Sequence, residues 1–232
     1  MGQMFKFILE HFSHVFPIVL CGALGLIIMA ERALALTVTY PMDAFENFFE
    51  RVRVLIMKDR IPDAIALCEQ MHSKPVARVV RAGLNRAHQP QELIEHGLQI
   101  AVGEATEIIQ ARTGFLGTIA NVSTLFGLLG TIIGLVQSFE AVGAASAQQR
   151  SAMLANGIST AMNATMLGLG VAIPCMIAFS FLNSRASKIA SQVDQSAIRT
   201  LDLLQQRYFR ATDNGPTDEA TFQEVISPRR GA

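Results

Sequence analysis

Thr124, Thr131 and Ser138 recur at intervals of seven residues inside a stretch almost free of charge. Seven residues fall about 20° short of two full helical turns, so the three hydroxyls form one slowly drifting stripe. Gly117 continues it, Asn121 lies nearby, and Gly127, Gly130 and Gly134 add positions of close approach. A second stripe of small residues, Ala161, Thr165, Gly168 and Ala172, carries a hydroxyl at Thr165. Small residues let membrane helices pack backbone to backbone, and that is the reading for the glycines and alanines. Thr131 and Thr165 have two readings: packing, or hydrogen bonding to water or to a partner's polar group inside a pore. Thr124 and Ser138 have the same two in a secondary role. Thr160 and Asn163 lie on roughly the opposite side of their helix from Thr165 and read as intersubunit hydrogen-bonding residues. Pro174 removes a backbone bond and crowds the preceding turn, so a bend is expected there.

Other chemistries find little material. The histidines, His11, His14, His72, His88 and His96, all lie outside the two segments that carry these hydroxyls, so no buried Ser–His dyad can be built. Cys21, Cys68 and Cys175 are scattered without CxxC spacing, which argues against a disulfide or metal framework. The chain is therefore expected not to be an enzyme and to use no cofactor or metal. A formal net charge of zero gives no support for nucleic-acid binding.

The elements that must position the hydroxyls are membrane spans. Between Thr113 and Ser184 the only charged side chains are Glu140 and Arg150, in the short break between two apolar segments. A hydrocarbon core of about 30 Å takes about 20 helical residues to cross, so this region reads as a transmembrane hairpin. A third apolar run occupies the N-terminal part of the chain, and Ala33-Leu34-Ala35 imitates a signal-peptide cleavage site. Charge argues against cleavage: Lys6 alone precedes the run, whereas Arg32, Arg51, Arg53, Lys58 and Arg60 follow it. The flank richer in Lys and Arg stays in the cytoplasm. Residues 32–112 carry ten Lys/Arg, the part after 184 carries seven, and the turn between the last two spans has Arg150 alone. Three spans with the N-terminus outside and the C-terminus inside satisfy every segment.

The expected organisation is a periplasmic segment at 1–13, a first span at 14–38 and a cytoplasmic helical region at 39–112. A second span at 113–140, a periplasmic turn at 141–155 and a third span at 156–183 follow. A cytoplasmic helix at 184–210 and a disordered tail at 211–232 complete it. In the cytoplasmic region Phe45, Phe48, Phe49, Val52 and Leu55-Ile56 recur at helical spacing, and Pro62-Asp63 and Pro75 read as helix starts. From Pro90 the pattern stays helical to about Ala141, roughly 75 Å of helix. The fold class is an all-α membrane protein whose two long helices extend into a cytoplasmic helical bundle.

Gly127-Leu128-Leu129-Gly130-Thr131-Ile132-Ile133-Gly134-Leu135 resembles the second-span signature of the TolQ/ExbB/MotA ion-channel family. Asn156-Gly157-Ile158, Ala164-Thr165, Gly168-Leu169 and Ala172-Ile173-Pro174 resemble its third-span signature, and Glu31-Arg32 looks like the pair that ends the first span in TolQ and ExbB. The three-span topology is similar to that branch, since flagellar MotA proteins have four. The resemblance covers roughly residues 10–205. It implies a pentamer of this chain around a dimer of a single-span partner similar to TolR or ExbD. In that arrangement the partner's membrane aspartate carries the proton, and threonines matching Thr131 and Thr165 line its path. At one position the chain departs from the pattern: Thr160 stands where such relatives often have glutamate.

The expected function is that of an ion-channel, stator-like subunit of a motor or energy-transducing complex driven by proton-motive force in the bacterial inner membrane. The work it powers is gliding or surface motility, or envelope transport. The alternative is a structural membrane scaffold that recruits cytoplasmic partners without conducting ions.

Overall fold

A computed structural model describes residues 12–42, 45–144, 146 and 148–213. The expected first periplasmic residues, 1–11, and the expected tail beyond 213 lie outside the described residues. Every regular element among the described residues is helical: α1 (Phe12–Leu34), a π-helical turn (Ala35–Thr39), α2 (Phe45–Met57), α3 (Ile61–Gln70), α4 (Pro75–Asn85), α5 (Gln91–Gln110), α6 (Thr113–Ala144) and α7 (Arg150–Asp213). The described residues divide into two compact units, one of 12–39 with 109–188, the other of 40–108 with 189–213.

The first unit holds α1, α6 and the first part of α7. Its three helices are each long and apolar enough to cross a membrane. α1 packs along α6. Gly22 admits Val171 and Gly25 admits Cys175, because a Cβ on either glycine would stand 3.2 and 2.8 Å from those side chains. Ala120, Ala172 and Cys175 form the buried centre, with Ile119 and Val171 packed against them. Large apolar side chains such as Leu125, Ile132, Phe139, Met162, Ile177 and Phe181 point outward. An outward apolar surface of this kind suits lipid or further protein, not water.

The second unit is an amphipathic bundle. α2 buries Phe45, Phe48, Phe49, Val52 and Ile56, and α4 buries Val76, Val79, Val80 and Leu84. Proline opens α3 and α4 in the first turn, where its missing N–H is not needed. The last turns of α7 add Ile189, Val193, Leu203 and Leu204 to the buried set.

Three expectations about helix limits change. The helix expected from Pro90 to Ala141 is interrupted at Ala111–Arg112, where Arg112 takes a φ of 60°. At that break Arg112 Nη1 stands 2.6 Å from Glu31 Oε1, across from the end of α1. α6 and α7 also run closer to each other than the expected span limits, leaving residues 145–149 between them, and α7 continues through Asp213. Pro174 lies inside α7 without ending it.

Candidate ion-conducting face

The seam between α6 and α7 is made by absent side chains. A Cβ on Gly127 would lie 3.2 Å from Gly168 Cα and 3.3 Å from Ala164 O and Thr165 Cα. One on Gly130 would meet Ala164 Cβ at 2.6 Å, and one on Gly134 would meet Ala161 Cα at 3.2 Å. From the other side, a Cβ on Gly168 would stand 2.7 Å from Ser123 O and 2.8 Å from Gly127 Cα. Gly157 instead leaves room for the Ser138 side chain, whose Oγ and Cβ occupy the space a Cβ there would need. At Gly127, Gly134 and Gly168 backbone meets backbone, the close approach that small residues permit.

The hydroxyl stripe runs obliquely to the seam. Thr124 is exposed, Thr131 is half-buried and Ser138 is buried. The drift of about 20° per seven residues accounts for this order, because each step turns the next hydroxyl further towards α7. Each hydroxyl donates its proton to a carbonyl of its own helix: Thr124 to Ala120 O at 3.0 Å, Thr131 to Leu128 O at 2.6 Å and Ser138 to Gly134 O at 2.6 Å.

Thr165 behaves differently. Its Oγ1 crosses the seam and lies 3.4 Å from Gly127 O, a long contact for a hydroxyl donor. Thr131 and Thr165 are therefore anchored on consecutive carbonyls of α6, those of Leu128 and Gly127, and both are half-buried. A hydroxyl whose proton is already donated keeps lone pairs that can accept. The pair thus offers acceptor oxygens at the edge of the seam, in a helix stretch that has no ionisable side chain from Thr113 to Phe139.

Thr160 donates to Asn156 O at 3.0 Å, within its own helix, and Asn163 is half-buried. Neither is brought to the Thr131–Thr165 edge by a hydrogen bond. Pro174 is exposed.

Two features escape sequence reasoning. Ser123 is fully buried, and its Oγ has no hydrogen-bond partner among the described residues. It lies on the glycine line, four residues before Gly127, and that spacing is the signal that could have found it. The second is the ionic cluster at the end of α1. Glu31 Oε1 takes Arg112 Nη1 at 2.6 Å and Arg32 Nη2 at 3.5 Å, and Arg32 is only 5% exposed. Sequence reasoning takes Glu31 and Arg32 as a pair, whereas the shorter bond goes to Arg112, in the break just before α6.

Comparison with known proteins bears on this geometry. The chain is 34% identical over 156 residues to the Tol-Pal system protein TolQ of Pseudomonas aeruginosa, covering 64% of this chain and 67% of that protein. It is 35% identical over 103 residues to TolQ of Haemophilus influenzae, covering 43% of this chain and 45% of the relative, so that match spans less than half of the relative's length. It is 28% identical over 185 residues to biopolymer transport protein exbB1 of Vibrio cholerae, covering 78% and 79%. Residues 71–195, more than half of the chain, match the MotA/TolQ/ExbB proton channel family. With three apolar helices of spanning length and a glycine-lined α6–α7 seam edged by Thr131 and Thr165, this chain is a multi-pass, all-α membrane protein that belongs to the MotA/TolQ/ExbB proton channel family.

Proposed function

We propose that this chain is the channel-forming, stator-like subunit of a proton-motive-force-driven, energy-transducing complex in the bacterial inner membrane. It forms a pentameric ring around a dimer of a single-span partner of the TolR/ExbD kind, and the partner's membrane carboxyl carries the proton. The work is delivered to envelope transport or to surface motility. The chain acts as a conduit and a lever, not as an enzyme.

One observation carries this reading. Thr131 and Thr165 hold acceptor oxygens on the consecutive carbonyls of Leu128 and Gly127, in a stretch of α6 with no ionisable side chain from Thr113 to Phe139. A protonated carboxyl entering from a partner can donate to such oxygens, and they cost nothing to keep neutral in a low-dielectric surrounding. Thr160 leaves that part of α7 without a carboxylate, so the titrating group comes from the partner. The family membership and the likeness to TolQ and ExbB proteins support the same assignment.

The test is proton uptake by proteoliposomes holding the chain with its co-expressed partner. Thr131→Val and Thr165→Val keep side-chain shape and remove the acceptor. Each is expected to lower uptake up to about tenfold, on the scale of one lost neutral hydrogen bond, with the complex still assembled. Undiminished uptake in both variants would leave the stripe as packing and favour a scaffold. A scaffold would also keep its partner process running when a protonophore collapses the membrane potential.

A further inference from the structure

The second unit contains a cavity of about 430 Å³ between α4 and α5 that no step of ion conduction uses. Arg78, Arg81 and Asn85 reach it from one face of α4, and Arg86 reaches it from the end of that helix. The opposite face of α4 is the one buried in the bundle, so these side chains are free to serve the cavity without disturbing the core.

The charge there is not balanced by contact. Glu104 is the one acidic residue lining the cavity among the described residues. No ion pair joins it to an arginine, and neither Arg78 nor Arg86 pairs with any carboxylate among the described residues. Arg81 stands 3.7 Å from Glu69, with both side chains well exposed, a weak attachment. Like charges three residues apart on a helix repel, so an arrangement of this kind favours an anion between them.

Arg86 is also held in place. A Cβ on Gly97 of α5 would lie 2.5 Å from Arg86 Cδ and Nη1 and 2.6 Å from Cζ. The guanidinium therefore rests across α5 in the space that glycine leaves at 97, one turn before Ala101 of the cavity wall.

We propose that this cavity binds a phosphate group. Guanidinium forks match phosphate oxygens in pairs, and three of them with one amide can engage a tetrahedral anion from several sides. The phosphate can be the headgroup of an anionic phospholipid or a soluble phosphate. Both sources present the same phosphate oxygens to the arginines, and the two measurements below separate them.

The test uses the full-length chain, with its partner where they co-purify. Calorimetry at low ionic strength measures inorganic phosphate binding in a neutral detergent. Native mass spectrometry after nanodisc reconstitution measures retained phosphatidylglycerol against phosphatidylcholine. The wild-type chain is expected to bind one phosphate group per copy, by one or both measures. Arg81→Gln and Gly97→Ala are each expected to weaken it about tenfold, while Arg53→Gln, an exposed arginine elsewhere in the same unit, leaves it unchanged. Gly97→Ala alters no charge and displaces only the end of a flexible side chain, so it separates a built site from a diffuse positive surface. Retention of phosphatidylglycerol alone assigns the headgroup as the source, and calorimetric binding alone assigns the soluble anion. No phosphate binding by either measure, equal binding in wild type and both site variants, or an equal loss in Arg53→Gln would overturn the proposal.

Discussion

Gly168 and Gly170 stand two residues apart on α7 and are expected to answer differently to the same added methyl group. A Cβ at 168 meets the backbone of Ser123 and Gly127 below 3 Å, so the helices must separate to admit it. A Cβ at 170 meets nothing within 4 Å. Gly168→Ala is therefore expected to destabilise the first unit by about 1–3 kcal/mol, the usual range for overpacking. Gly170→Ala leaves stability unchanged or raises it by up to about 1 kcal/mol through helix propensity. Thermal unfolding of the detergent-solubilised protein separates the two. Cys68 is a second case in which surroundings decide behaviour. Burial pushes its thiol up to about 12, with nearby Arg81 acting weakly in the other direction. At pH 8 roughly one thiol in ten thousand is then ionised, and the thiolate is the reactive form. Maleimide is expected to leave Cys68 unmodified in the folded protein and to label it after unfolding, read by peptide mass spectrometry. Rapid labelling of the native chain would contradict the burial.

Between elements, the clearest clasp joins the start of α2 to the last part of α7. Arg199 holds both carboxylate oxygens of Glu46, at 2.7 and 2.9 Å, and lies over the rings of Phe45 and Phe49 at 5.1 and 5.5 Å. The hydrogen bonds from Arg199 hold the Glu46 carboxyl below its usual value of 4.5, and the same bonds raise the guanidinium. A depressed carboxyl stabilises the fold above the unfolded value and loses that contribution as pH falls through the folded value. The clasp is thus expected to be constant from pH 5 upward and to open only in stronger acid. Hydrogen exchange in α2 reads this directly. Arg199→Ala is expected to raise exchange at neutral pH, and Arg199→Lys to raise it less, since lysine keeps the charge and loses the fork and the stack. Glu46→Gln is expected to make the protection factors of α2 amides, corrected for the intrinsic pH dependence of exchange, insensitive to acid below pH 4.5. An acid response that survived this substitution would place the titrating group elsewhere.

At the scale of the whole molecule, three membrane helices with an outward apolar surface cannot enclose a path by themselves. Leu125, Phe139, Met162 and Ile177 are each more than 60% exposed in the single chain. Lipid tails are as apolar as these side chains, so close packing and hydrogen bonds between copies, not apolar burial, are the expected source of assembly energy. Native mass spectrometry from a mild detergent is expected to show five copies of this chain. A monomer that still conducted protons with its partner would rule out the ring. Glu31 contributes at this scale too, since its bond to Arg112 ties the end of the first span to the start of the second.

Much of this was legible in the residues themselves. Charge sparsity marked the hairpin, helical spacing of Phe45, Phe48, Phe49 and Val52 marked the buried face of α2, and the prolines marked the starts of α3 and α4. Those signals are local: they depend on transfer to lipid and on one helix's own period. The break at Arg112 was not legible, because nothing in the run from Pro90 to Ala141 announces a positive φ at that residue or its bond to a glutamate 81 residues away. The buried Ser123, the unequal exposure of Thr124, Thr131 and Ser138, and the crossing of Thr165 to Gly127 O were likewise invisible. A heptad fixes which side chains share a stripe. Which edge of the stripe meets α7 depends on how closely the glycines let the second backbone approach, and only the packed helices decide that.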